Sequence, residues 1–405
     1  MTSPPPETAP ADGSGRKPGW LVLTASERGA SHLATGAPNQ DAVASERAGT
    51  DGVVGAVADG HGHSRHLRSA RGSRIAARIG CQVAQELADR IEAQDIIPAQ
   101  LQDRPSPQAT ASALTGLVKE FLVPAIVNRW RAAVLADAQA DPFTDSEQDQ
   151  RLKGDDPAIA YGSTLLLGIA LRGWLVLAQI GDGDVVGVRT DGGVLQPVPV
   201  DPQLDGLVTT SLCGPSAQSD FRVAVVDTVS TPLLAVLLAT DGYGNAQVVE
   251  EWPRAFSEDL AWMLRDRDAQ WLASQLPSWT ARCASSEGSA DDTSVALLLG
   301  PTAATRSTRP GGPGRSDLDP GTEETTIPAM PHADTVPSAQ VPTGQRPIEP
   351  VTVRQQPITA SAGPQVPPGP QVPAEHSGPA TEEISISDQA TAKWEPPRSN
   401  GAGAR

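Results

Sequence analysis

The chain has 405 residues, 39% of them hydrophobic, with 38 glycines, 38 prolines and a formal net charge of −17. The acidic balance excludes a nucleic-acid binder, which needs a basic footprint, and an anionic membrane surface as partner. Proline is uneven: residues 301–405 hold 19, residues 1–18 hold 5 and residues 19–300 the other 14.

The sequence therefore reads as three parts. Residues 1–18 are a disordered N-terminal segment. Residues 19–300 are a body long enough to bury a core unaided. Residues 301–405 are a Pro/Thr/Ser-rich disordered tail, too poor in apolar side chains to offset its ordering entropy. The body carries 21 basic and 35 acidic residues. Three widely spaced cysteines, Cys81, Cys213 and Cys283, form no zinc or disulfide framework and fit a reducing, cytoplasmic compartment. The start has no signal-peptide pattern. Leu233–Ala239, the longest apolar run, is too short to span a bilayer.

In chain order, strands are expected at residues 20–25 and 53–58. An Ala-rich helix is expected over 66–94, and a second over 108–139 that Pro124 interrupts. An acidic loop covers 140–160. Strand-like runs follow at 163–170, 174–180, 184–189, 193–200, 220–227 and 233–239. Helices cover 247–267 and 268–284, and a last strand covers 293–299. Short turns between successive strands predict antiparallel pairing, and helices grouped in blocks predict sheet faces covered by helices. The class is α+β.

The chemistry sits in aspartates at strand ends. Asp59-Gly60-His61-Gly62 follows one apolar strand, Asp182-Gly183-Asp184 a second and Asp241-Gly242 a third, while Asp291-Asp292 precedes a fourth. A lone Asp-Gly is a turn signal. Four such places at the ends of buried strands are a candidate site for hard divalent cations, which take oxygen ligands. Glycine beside three of the aspartates permits a tight turn and close backbone approach.

In this arrangement the sequence resembles the metal-dependent protein phosphatase 2C family, and a bacterial branch of it. The matching pieces run in family order: Gln40-Asp41-Ala42, Val57-Ala58-Asp59-Gly60-His61-Gly62, Gly162-Ser163-Thr164-Leu165, Ile180-Gly181-Asp182, Ala239-Thr240-Asp241-Gly242 and Asp291-Asp292-Thr293-Ser294-Val295. The resemblance spans residues 19–300. It implies a four-layer α/β/β/α sandwich of two antiparallel sheets flanked by helices. It implies two Mn²⁺ or Mg²⁺ ions: Asp59 bridging both, the Gly60 carbonyl on one, Asp241 and Asp291 on the other, and Asp182 on a looser third. The cations would supply a bridging hydroxide that attacks phosphorus in phosphoserine or phosphothreonine. His61 would protonate the leaving oxygen. Phosphorylated proteins, the products of an opposing kinase, are the implied partners.

Three positions depart from the family pattern. Gln40 replaces a glutamate beside Asp41. Gly36 stands where the family has a phosphate-gripping arginine; His32, or one of Arg65, Arg68, Arg71 and Arg74, could take that role, or these arginines are a solvated helix face. Asn245 offers a neutral oxygen where the family has an aspartate. His61-x-His63 lacks further soft ligands nearby, which argues against zinc. In the tail, threonines in 322–327 and 381–387 are flanked by acids and could dock a phosphothreonine-reading domain. Three readings stay open: a phosphoprotein phosphatase, a phosphatase-like scaffold that binds without turnover, and a hydrolase for small phosphate esters.

Overall fold

The computed structural model describes residues 19–97, 106–201 and 209–304. The strands are β1 (Leu21–Glu27), β2 (Ala42–Ala48), β3 (Gly52–Ala58), β4 (Leu165–Leu171), β5 (Trp174–Ile180), β6 (Asp184–Arg189), β7 (Val194–Leu195), β8 (Arg222–Asp227), β9 (Leu233–Ala239) and β10 (Thr293–Leu299). The helices are α1 (Ala30–Thr35), α2 (Ser69–Ala93), α3 (Pro107–Leu117), α4 (Val123–Ala140), α5 (Asp145–Gln150), α6 (Ala217–Asp220), α7 (Asp241–Asn245), α8 (Trp252–Asp266), α9 (Ala269–Cys283) and α10 (Pro301–Ala304).

Two antiparallel five-stranded sheets have the orders β1-β10-β9-β6-β7 and β2-β3-β4-β5-β8. Side chains alternate between two cores, as a period of two requires. Leu166 and Ala170 on β4, Val236 and Leu238 on β9 and Ala296 and Leu298 on β10 meet between the sheets. Leu165, Leu167 and Ile169 face outward, onto α2, α3 and α4. Leu237, Val295 and Leu297 face outward onto α8 and α9. This is the expected α/β/β/α sandwich. It explains why β3, β4, β5, β9 and β10 are buried along their whole length and read as continuous apolar runs.

Several local readings differ. β2 was not expected: Ala-Val-Ala-Ser-Glu-Arg-Ala has weak strand propensity, and only its edge pairing with β3 makes it one. Pro124 does not end its helix. A π-helical turn at Val118–Leu122 widens the ladder just ahead of the proline, and one helical stretch runs from Pro107 to Ala140. That stretch is long and apolar enough, by length and composition, to cross a membrane, although it contains no unbroken apolar run of that length. Its Leu114, Val118, Leu122, Ile126, Trp130 and Val134 are buried in the core over α2 and β4. The segment 140–160 contains α5, started by a capping box of Thr144 and Glu147, then a 3₁₀ turn at Pro157–Tyr161. The folded body also continues past residue 300, because Ala303 of α10 is buried. The proposed segment 1–18 and, of the proposed tail 301–405, residues 305–405 lie outside the described residues.

Arg68, at the head of α2, ties this helix to the 141–161 segment. Its side chain is 5% exposed and makes two parallel bonds to Glu147, Nε to Oε1 and Nη2 to Oε2, both 2.9 Å. It also donates to the Asp141 and Pro142 carbonyls and to Tyr161 Oη. The Arg68 hydrogen bond pulls the Glu147 carboxyl from 4.5 down to about 2. A depressed folded pKa means that this stabilisation is full above pH 4.5 and is lost as pH falls toward 2. Glu147→Gln is expected to cost about 1–3 kcal/mol at pH 7, because it leaves a nearly buried guanidinium short of its anion. Urea unfolding at pH 7 and pH 3 checks this: the gap between variant and parent should shrink at the lower pH.

Candidate metal centre

The antiparallel order brings the aspartates together. The C-terminal ends of β3, β5 and β9 and the N-terminal ends of β6 and β10 lie at one end of the sandwich. Asp59 ends β3. Its N–H donates to Thr164 Oγ1 at 2.9 Å, and its carbonyl accepts from the Thr164 N–H at 2.8 Å. Gly60 bridges to Ser163 and donates to the Gln40 carbonyl at 3.1 Å. A Cβ on residue 60 would sit 2.6 Å from that same oxygen. The glycine therefore serves close approach rather than a tight turn.

Asp182 follows β5 on a loop that Gln179 holds from beneath. Gln179 is 3% exposed, and its Nε2 donates to the carbonyls of Gly181 (3.3 Å) and Gly183 (2.5 Å). Gly181 has φ +104, a conformation that side chains other than hydrogen rarely take. Asp241 opens α7, where Asn245 Nδ2 donates to its Oδ2 at 3.1 Å. Asn245 thus presents an N–H to a neighbouring carboxylate, where the sequence reading offered it as an oxygen ligand.

Asp291 and Asp292 divide the work before β10. Asp291 is exposed to the cavity. Asp292, 3% exposed, accepts from the backbone N–H groups of Gly29 (2.7 Å) and Gln40 (2.6 Å) and pairs with His32 Nδ1 at 2.8 Å. Asp41 lies beneath the site and accepts from Thr240 Oγ1 at 2.7 Å.

These side chains surround a cavity of about 520 Å³. Asp59, Gly60, His61, Asp182, Asp241 and Asp291 all line it, with His32 and Gln40. No arginine or lysine does, among the described residues. Burial, then the charges of Asp41, Asp241, Asp182 and Asp291, hold Asp59 well above the usual carboxylate range. Burial, then Asp182 and Asp291, push Asp241 up to about 6. Burial, and next Asp241, raise Asp184 to about 7. Burial is also the main cause that lifts Asp41 to about 8. Asp182 Oδ1 is buried with no hydrogen-bond partner.

Such a donor set, all oxygen and mutually repelling, fits hard divalent cations. Among the described residues no three His, Cys, Asp or Glu side chains already converge on a single point. Backbone carbonyls such as that of Gly60, and water, belong to the donor set of such ions.

The arginine proposals need correction. Arg65 does not line the cavity, and its Nη2 pairs with Asp155 at 3.0 Å. Arg68 is consumed by Glu147, and Arg71 by Asp137 and Asp141. Arg74 is exposed on α2. Arg68 and Arg71 thus spend their guanidiniums on carboxylates of the 137–147 segment, and only Arg74 is a merely exposed face. Gly36 caps α1 with φ +75, a conformation that disfavours arginine. Sequence reasoning missed Thr209, Ser211 and Cys213, which form part of the cavity wall. They lie in no motif; only folding brings Ser211 Oγ to the Ser163 carbonyl, at 3.2 Å.

Among curated proteins none matches the sequence. Solved structures similar to the chain at low identity include the following three. A bacterial serine phosphatase is 15% identical, with 69% of this chain and 96% of that one covered and a TM-score of 0.41. The catalytic domain of serine threonine protein phosphatase PstP, in complex with two manganese ions, is 19% identical, with 69% and 97% covered and a TM-score of 0.39. Serine/threonine phosphatase Stp1 from Staphylococcus aureus is 14% identical, with 71% and 99% covered and a TM-score of 0.42. The family model for protein phosphatase 2C matches residues 28–279, well over half of the sequence. The chain belongs to the protein phosphatase 2C family.

Proposed function

We propose that this protein is a metal-dependent phosphatase for phosphoserine and phosphothreonine in proteins, opposing a kinase. One observation carries the reading: carboxylates from four strand ends line one cavity, with an imidazole beside them and, among the described residues, no lysine or arginine in its wall. Asp59, Asp241 and Asp291 would hold one cation, Asp59 and the Gly60 carbonyl a second, and Asp182 a third. Mn²⁺ or Mg²⁺, when bound, would activate water and offset charge on the phosphoryl oxygens.

The chain's own groups do the rest. Asp292 keeps the segments of Gly29 and Gln40 against the cavity through two backbone bonds. Asn245 fixes the rotation of the Asp241 carboxylate. His61 lines the cavity next to Asp59 and would give its proton to the leaving serine or threonine oxygen. Burial, and next His66, lower its pKa to about 4. It is therefore neutral at pH 7 until a phosphate dianion beside it favours the charged form. His32, half-buried, lining the cavity and bonded to Asp292, would meet a phosphate oxygen where the family arginine is absent.

The second reading, a phosphoprotein-binding scaffold, is favoured by the neutral Gln40 and by the lack of a guanidinium in the cavity. Phosphate release from a phosphothreonine peptide by the full chain, with and without Mn²⁺, separates the two. Turnover that needs Mn²⁺ and falls at least about 100-fold in Asp59→Asn and Asp241→Asn supports the enzyme. Mn²⁺ uptake by calorimetry without any release supports the scaffold. His32→Ala is expected to raise KM for the peptide several-fold while kcat changes less than about threefold, the sign of a group that binds phosphate in ground and transition states alike.

A further inference from the structure

We propose that His66 is a positioning residue for His61, holding its imidazole where it can reach the leaving oxygen. The inference rests on the phosphatase reading above, with His61 as proton donor.

His61 lies between Gly60 and Gly62, two residues with little conformational restraint of their own. The backbone is held from outside the turn: the His61 main-chain N–H donates to the Gly162 carbonyl at 3.2 Å. The ring itself meets one neighbour. The His66 ring packs against the His61 ring, with centroids 4.9 Å apart and planes tilted by 59°.

His66 is itself anchored. Its Nδ1 lies 2.6 Å from the Ile159 carbonyl, an acceptor, so the Nδ1 proton is present and the ring orientation is set. Ile159 belongs to the 3₁₀ turn at Pro157–Tyr161. That turn is capped by Asp156, which accepts from the Ala158 N–H at 2.9 Å. It is tied to α2 by the Arg68 N–H, which donates to the Ala160 carbonyl at 2.7 Å. Gly162 closes the arrangement. A Cβ there would collide with His66 Nδ1 and come within 2.8 Å of His61 Cδ2. The two rings thus bracket one glycine, and the anchored His66 ring limits where the His61 ring can go. Proton transfer needs hydrogen-bond reach, and a misplacement of about 1 Å can cost ~100-fold.

The test compares the full-length protein with His66→Ala and His66→Phe on two substrates. A phosphothreonine peptide expels an alkoxide that needs a proton. Nitrophenyl phosphate expels a stable phenolate that does not. For His66→Ala, kcat on the peptide should fall about 10- to 100-fold with KM within about twofold. Its kcat on nitrophenyl phosphate should change less than about threefold. His66→Phe, which keeps a ring against His61, should return most of the loss. NMR relaxation of the His61 ring in the metal-free protein gives a second readout: restricted in the parent and His66→Phe, freely mobile in His66→Ala. Equal loss on both substrates, an unchanged peptide kcat, or unchanged ring mobility overturns the proposal. A parent protein that hydrolyses neither substrate overturns the phosphatase reading instead, and the ring mobility still decides the role of His66.

Discussion

Carboxylates gathered at one end of the two sheets repel one another, and the sandwich has to hold them there. It does so through backbone. Asp59 is gripped on both sides of its peptide by Thr164, and Gly60 by Gln40 and Ser163. Beneath them, Asp41 accepts from Thr240, Thr240 Oγ1 accepts from the Ser294 N–H at 2.9 Å, and Ser294 Oγ donates to Ser26 Oγ at 2.7 Å. This buried chain joins the segment entering β2 in one sheet to β9, β10 and β1 in the other. A polar network buried this fully specifies one alignment of the sheets, because any slip would leave its members unsatisfied.

The same economy of space recurs at the glycines that touch the site. Gly60 and Gly162 stand where a side chain would strike a carbonyl or an imidazole. Gly72 of α2 stands where a Cβ would run into the Tyr161 carbonyl. That contact lets α2 lie against the 3₁₀ turn, with Trp130 Nε1 donating to the Gly72 carbonyl at 3.0 Å. The Arg68–Glu147 pair fastens the far side of this segment. The His61–His66 side of the cavity is thus held by α2 and the 3₁₀ turn, which runs straight into the Gly162–Thr164 segment that grips Asp59.

Much of this was legible in the sequence. Apolar runs such as Leu165–Leu171 and Leu233–Ala239 marked central strands because both of their faces are covered. Aspartates placed at the ends of such runs marked the site, since strand ends in an antiparallel sheet alternate between only two edges. β2 escaped notice because its residues carry little strand preference of their own. Arg65, Arg68 and Arg71 misled because a basic cluster after Asp59-Gly60-His61-Gly62 looks the same in sequence whether its partners are a ligand or Asp155, Glu147 and Asp137.

The sequence by itself determined the division of residue types along the chain, the central strands, and the aspartates at strand ends, because each rests on local pattern. Which arginine pairs with which carboxylate, that Asp292 fastens Gly29 and Gln40 while Asp291 faces the cavity, and that His66 meets His61 across Gly162 were decided only by the tertiary structure. Those facts depend on distances between residues up to 263 positions apart, as in the bond from Gly29 to Asp292, and local propensity carries no information about such pairs.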